Sequence, residues 1–275
     1  MSFDTRTTLL RDGIAARGLE GIVDAEVYLD PTPMTCGMAA TGIHREASAA
    51  SEQMDQLLFG ERFDVLEEDG GFVLGQARRD GYVGYVAKGA LTPLGPRATH
   101  RVATLRTYAF EGPSIKSRAM GLFSLNSLVT VEAEEGRLAK VTGSGWVAAD
   151  HLAPIGVFEE DPAAVALRFV GAPYLWGGRE SLGLDCSGLV QQALFACGMA
   201  CPRDTDQQQT LGREIAAAEF GRNDLVFWKG HVAIGLGEGK IIHANASHMM
   251  TAVEPLADAV ARPAYGEPTG YRRVL

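Results

Sequence analysis

Through its first half the chain alternates short apolar runs with Gly and Asp turns, a pattern that predicts small β-units rather than helices. Residues 57–91, LLFGERFDVLEEDGGFVLGQARRDGYVGYVAKGAL, and 121–152, GLFSLNSLVTVEAEEGRLAKVTGSGWVAADHL, share one outline. In each, a Gly-aromatic-Val-Ala run is followed four residues later by a leucine: Gly84 to Ala87 then Leu91, Gly145 to Ala148 then Leu152. Two divergent copies of a strand-and-turn unit are expected. Residues 1–35 read as a weakly helical opening followed by a strand-like VDAEVYLDPTP piece, and no domain is assigned to them. The stretch 92–102, with two prolines, reads as a linker.

The pattern then changes. Asp161 can cap a helix with Pro162 at its first position, and Val165, Leu167, Phe169 and Val170 supply apolar contacts before Gly171. Asp185 caps a second helix, expected from Cys186 to about Cys197 with Gly198 as its stop, and Leu189, Val190, Ala193 and Leu194 give it an amphipathic stripe. Three short strands are expected at 224–228, 231–236 and 240–245. Helices first and an antiparallel sheet later is an α+β arrangement. The domains are therefore drawn at 36–93, 94–155 and 160–275, after the N-terminal segment.

Composition narrows the partners. The chain has 275 residues, 46% of them hydrophobic, and a net charge of −9 with pI near 5.2. That balance argues against a nucleic-acid or anionic-membrane surface, both of which reward clustered Lys and Arg. The opening MSFDTRTTLLRDGIAARGLEG is interrupted by Asp4 and Asp12 and does not look like a signal peptide, and no stretch is apolar for long enough to span a bilayer. With only four cysteines, at 36, 186, 197 and 201, a cytoplasmic protein with reduced thiols is expected.

Cys186 stands where chemistry can begin. Cysteine is often buried, and Cys186 could simply open the apolar stripe of its helix. A helix N-terminus, however, also favours a thiolate, and a catalytic cysteine needs a base and a group that orients the base. His231 and His243 are the candidates. If Gly237, Glu238 and Gly239 form a three-residue hairpin loop, Ala233 lies opposite His243 and both histidines point to one face; a two-residue loop would put them on opposite faces. His248 is a weaker choice, and His44, His100 and His151 look structural. Zinc at Cys197 and Cys201 lacks the two close ligand pairs of a structural site, so these read as core thiols. No role is assigned to Cys36.

The segments PYLWGG, LDCSGLVQ, NDLVFW, HVAIGL and IIHAN, in that order over about residues 160–275, resemble the NlpC-type cell-wall peptidases, papain-like cysteine hydrolases that cut peptidoglycan peptides. The resemblance implies Cys186 as nucleophile, His231 as general base and acid, and His243 as the residue that orients it. It implies Tyr174 as an oxyanion donor beside the Cys186 backbone N–H, with Trp176 lining the same glycine-rich loop. No metal or organic cofactor is implied.

The DGYVGYVAKGAL and GSGWVAADHL units are similar to bacterial SH3-like modules. Two small all-β SH3-like barrels followed by an α+β papain-like domain resemble the γ-D-glutamyl-L-diamino acid endopeptidases, including cytoplasmic enzymes of murein recycling. Their substrates are murein tripeptides or tetrapeptides with a free N-terminal L-Ala, cut before meso-diaminopimelate. By position, the resemblance implies Asp185, Ser187, Tyr82 and Glu46 as readers of the substrate's amino end. Gly230 departs from the family pattern, which commonly has a polar residue there. An amidase or acyltransferase on the same site, or a wall-binding protein, are the competing readings.

Overall fold

A computed structural model describes residues 3–275, which divide into two compact units between Ile155 and Gly156. No helix among the described residues is long and apolar enough to cross a membrane.

The N-terminal unit is almost entirely β. Its seven-stranded sheet runs in the order Leu91–Pro93, Thr32–Cys36, Arg62–Asp69, Phe72–Ala77, Val83–Ala87, Ala40–His44, Gln53–Leu58. Alternation along these strands puts Cys36, Ile43, Leu57, Phe63, Val73 and Val86 into one core, which Tyr82 joins from just before the strand Val83–Ala87. A five-stranded and a three-stranded sheet follow, built around Val102, Ala109, Phe123, Val129, Val141 and Val147, with Phe59 stacked on Phe123 at 4.5 Å.

The repeat seen in the sequence is a repeat of structure. Val83–Ala87 leads into a 3-10 turn, Lys88–Ala90, and the strand Leu91–Pro93; Gly145–Ala148 leads into the 3-10 turn Ala149–His151 and the strand Leu152–Pro154. Two expectations are corrected. The opening holds short strands, Leu10–Arg11, Ile14–Ala16 and Val27–Leu29, because Leu9, Ile14 and Leu29 pack onto Leu66, Leu74 and Val83. The boundary at 36 cuts a strand, since Thr32–Cys36 pairs with both Arg62–Asp69 and Leu91–Pro93.

The C-terminal unit joins four short helices to a six-stranded antiparallel sheet, in the order Arg213–Glu214, Gly270–Arg273, Leu225–Trp228, His231–Gly237, Lys240–Asn245, Met250–Pro255. Helix α1, Pro162–Leu167, begins as expected: the Asp161 carboxylate accepts from the Ala164 N–H. It stops short of Gly171, burying Val165 and Phe169 but leaving Leu167 and Val170 exposed. Helix α2, Cys186–Ala196, starts on Asp185 and ends at Gly198, whose φ of 75° suits glycine. It is buried all round, Gln191 and Gln192 included, so it is the central helix of the unit rather than an amphipathic surface one. Helices α3, Thr205–Gln208, and α4, Leu256–Val260, complete it.

The hairpin between the two histidine strands differs from expectation in a way that keeps its consequence. Gly237 pairs with Lys240, leaving a two-residue turn, Glu238–Gly239, in which both residues have positive φ. Such a turn alone would reverse the parity. Leu236 stands out of register as a bulge, so Gly235 still pairs with Ile241 and Ile234 with Ile242, the register of a three-residue loop.

Candidate active site

That register places His231, Ala233, Ile241 and His243 on one face of the sheet, and the direct pairing of Ile241 with Glu254 adds Glu254 to it. His231 Nε2 and His243 Nδ1 are 2.8 Å apart, and His243 Nε2 and Glu254 Oε1 are 2.7 Å apart. Arg262, just past α4, donates through both terminal nitrogens to both Glu254 oxygens. All but Arg262 are buried, His243 completely.

Cys186 is the first residue of α2 and is 5% exposed. Its sulfur accepts from the backbone N–H of Val232, the residue after His231, and from that of Ser187. Tyr265 joins the two sides: its ring stacks on His231 at 4.7 Å, nearly parallel, and its hydroxyl senses the charge of Cys186. Trp228 Nε1 holds the Tyr265 loop by donating to the Gly266 carbonyl at 2.9 Å.

Burial governs the charge states. It pushes the Cys186 thiol up to about 12, helped by the Asp185 carboxylate and opposed by the two N–H groups and Arg203. It pushes His231 down to about 3, with His243 next in effect, and His243 down to about 4 against the pull of Glu254. The resting pair is therefore a thiol and a neutral imidazole. Burial, with the charges of Cys186 and Asp185, also raises the Tyr174 hydroxyl above its ordinary value and keeps it a donor. Tyr174 is fixed by its backbone N–H to the Met249 carbonyl at 3.0 Å, and Trp176 beside it is 56% exposed.

Asp185 and Ser187 flank the nucleophile, but their contacts favour a supporting role over an ammonium-reading one. Asp185 accepts from the Gly188 and Gly177 N–H groups at 2.8 and 2.9 Å and from the Ser187 hydroxyl at 3.2 Å. Arg203, 1% exposed, donates to both Asp185 oxygens at 3.0 and 2.6 Å and to Ser187 Oγ at 2.6 Å. The pair locks the α2 N-terminus to the Gly177 loop. Tyr82 lies in the core of the seven-stranded sheet at 1% exposure, and Glu46 is exposed in the N-terminal unit.

Glu254, Arg262, Tyr265 and Arg203 escaped sequence reasoning. Glu254 lies on the strand Met250–Pro255, beyond the last strand expected from the sequence, and the other three gain their partners only in the fold. His243, His248 and Glu254 also lie close enough to hold a cation. Such an ion would have to displace the Arg262 guanidinium from both carboxylate oxygens, so these donors fit a hydrogen-bonded chain better than a metal. A cavity of about 780 Å³ in the N-terminal unit holds none of these catalytic groups.

A thiol at a helix N-terminus, next to a buried histidine pair, is a layout suited to nucleophilic acyl transfer. Residues 171–266 match the NlpC/P60 family and residues 43–91 the bacterial dipeptidyl-peptidase SH3 domain. The chain belongs to the NlpC/P60 family. It is 31% identical over 210 residues to the γ-D-glutamyl-L-lysine dipeptidyl-peptidase of Bacillus subtilis (strain 168), covering 69% of this chain and 71% of that one. Dipeptidyl-peptidase 6 of Lysinibacillus sphaericus is 27% identical over 227 residues, 74% and 84% of the two chains. The crystal structure of an NlpC/P60 family protein from Bacillus cereus ATCC 10987 superposes with a TM-score of 0.78 at 19% identity, over 89% of this chain and 100% of that one. A cell-wall peptidase function follows from the family and from the two dipeptidyl-peptidase relatives, and the solved structure shows the fold.

Proposed function

We propose that the protein is a cysteine endopeptidase that hydrolyses the γ-D-glutamyl-L-diamino acid bond of murein peptides with a free N-terminal L-Ala. The observation that carries this reading is the Cys186 thiol at the α2 N-terminus, held by the N–H of Val232, the residue after His231 of the hydrogen-bonded His231–His243 pair. Similarity to the γ-D-glutamyl-L-lysine dipeptidyl-peptidase of Bacillus subtilis supports the bond. The two N-terminal β-assemblies are read as tandem SH3-like modules, and the C-terminal unit as papain-like.

In this mechanism His231 takes the Cys186 proton as sulfur attacks the γ-D-glutamyl carbonyl carbon, so that an S–C bond forms and the carbonyl π pair moves to oxygen. Tyr174 O–H and the Cys186 backbone N–H are assigned as the donors to that oxyanion. The oxyanion collapses, the C–N bond breaks, and the His231 proton goes to the leaving amine. Water, deprotonated by His231, then opens the thioester to a carboxylate and returns the proton to sulfur. No cofactor enters these steps.

Reading of the free amine is assigned, on the family resemblance, to Glu46 of the first SH3-like module, while Tyr82 is a core residue of that module and Asp185 and Ser187 hold the α2 N-terminus. A cytoplasmic place in murein recycling suits such a substrate, a tripeptide or tetrapeptide released from the wall. The purified protein is expected to release L-Ala-γ-D-Glu from L-Ala-γ-D-Glu-diaminopimelate or its lysine counterpart, identified by mass spectrometry. Release of ammonia, or no cleavage of either peptide, would overturn the reading. Equal rates on the N-acetylated peptide would remove the amine-recognition part alone.

A further inference from the structure

Beyond the nucleophile and the two histidines, the sheet face carries a charged pair with no place in the mechanism so far. Glu254 on strand Met250–Pro255 is buried, yet it faces His243 on one side and Arg262 on the other. A carboxylate buried beside a histidine is costly unless it is paired and hydrogen-bonded, and both conditions are met here.

We propose that Glu254 and Arg262 are positioning residues that fix which ring nitrogens of His243 and His231 carry protons and how basic His231 is. The proposal rests on the reading of His231 as the base for Cys186.

Arg262 and His243 hold the Glu254 carboxyl below its ordinary range, so it is ionised and can only accept. Neutral His243 must then carry its proton on Nε2 and present a bare Nδ1. That bare nitrogen accepts from His231 Nε2–H across 2.8 Å, which leaves the lone pair of His231 on Nδ1. The base is thus set by two relayed hydrogen bonds to take the Cys186 proton: S–H breaks, Nδ1–H forms, and the resulting imidazolium is shared toward Glu254. An ionised group beyond His243 stabilises that cation without occupying the nitrogen that reacts, and wrong tautomers cost comparable triads about 10⁴-fold.

The same segment delivers a second control. From Leu256 to Gly266 the chain places Arg262 on Glu254 and, three residues later, Tyr265 flat on His231. The Tyr265 N–H donates to the Arg262 carbonyl at 3.0 Å, so the two are parts of one turn. The charged and titratable neighbours of this cluster are Cys186 from α2, His248 after strand Lys240–Asn245, Asp258 on α4, and Tyr265.

The two members act on His231 with opposite sign: the Glu254 charge raises its basicity and the Arg262 charge lowers it. Glu254→Gln therefore moves the acid limb of kcat/KM to lower pH, and Arg262→Gln moves it to higher pH. A purely structural pair would not split in this way.

The test compares kcat, KM and pH profiles of the wild type, Glu254→Gln, Glu254→Asp and Arg262→Gln, with circular dichroism as a check on folding. Glu254→Gln is expected to lose about 10²- to 10⁴-fold in kcat with KM changed by less than about 3-fold, and Glu254→Asp to recover at least about 10-fold of that loss. In parallel, ¹⁵N spectra of the imidazoles in a Cys186→Ala background should show protons on Nε2 of both histidines, changed by Glu254→Gln. Wild-type activity with an equally active Glu254→Gln, acid limbs that move together, or unchanged tautomers would overturn the proposal. An inactive wild type would defeat the peptidase reading instead, while the ¹⁵N result would still decide the positioning role.

Discussion

Arg203→Met removes the guanidinium that satisfies Asp185 and Ser187 while keeping an apolar stem of similar reach. Side-chain exposure is 1% for Arg203 and 7% for Asp185, so the variant leaves a carboxylate in the interior with no counter-ion. Breaking a buried pair from one side costs about 3–5 kcal/mol. The unit that contains it has about 120 residues, and at about 2.1 cal/mol/K per residue its unfolding entropy is about 250 cal/mol/K. The midpoint should therefore fall by about 12–20 °C in scanning calorimetry of the full chain. Adding Asp185→Asn removes the stranded charge, and the double variant should be more stable than Arg203→Met alone. Arg203 also favours the Cys186 thiolate and Asp185 opposes it, so Arg203→Met should slow alkylation of Cys186 at fixed pH. A fall of less than about 3 °C, or a double variant less stable than the single one, would refute the view that this pair anchors the α2 N-terminus.

Other expectations follow from the same geometry. His231 and His243 titrate near 3 and 4 when folded but near their ordinary value when unfolded, so the unfolded chain binds more protons between these limits. Stability is then full above about pH 6.5 and falls on acidification, at up to about 1.4 kcal/mol per pH unit for each histidine; urea titrations at pH 7, 6 and 5 check the slope, and a flat profile would contradict it. Deleting Leu236 removes the bulge but leaves Gly237 opposite Lys240 and Gly235 opposite Ile241, so both histidines keep one face and peptide cleavage should survive; loss of cleavage with the fold retained would show that strand register alone does not align the histidines. Gly60 has φ of 79°, and a Cβ there would lie 1.9 Å from the Leu128 carbonyl oxygen, so Gly60→Ala should cost about 2–4 kcal/mol by urea denaturation. A cost under about 0.5 kcal/mol would show that the contact yields easily.

Local patterns carried the parts of the site that lie in single segments. Asp161 and Asp185 advertise helix starts through capping chemistry, and both caps form. The repeated Gly-aromatic-Val-Ala run predicted two copies of one unit because its turn and strand recur together. The histidine face was correct in parity although the loop was not, since a two-residue turn and one bulged leucine have the same register as a three-residue loop. What stayed hidden depends on distant partners. Asp185 reads as a cap or as an ammonium ligand until Arg203, eighteen residues on, is seen to hold both of its oxygens. Glu254 carries no local signal, because its importance comes from lying across the sheet from Ile241 and from α4 bringing Arg262, eight residues on, back to it. The stripe of α2 suggested an exposed side, which the surrounding elements cover in the fold.

The central claim is that Cys186 is the nucleophile of a peptidase acting on γ-D-glutamyl peptides. The most direct measurement is turnover of L-Ala-γ-D-Glu-diaminopimelate, followed by mass spectrometry, as Cys186 is titrated with iodoacetamide and compared with Cys186→Ala. The account predicts release of L-Ala-γ-D-Glu, loss of activity in proportion to one label on Cys186, and a drop of more than about 10³-fold in Cys186→Ala with the fold retained. Turnover that survives complete labelling or the Cys186→Ala substitution would contradict it.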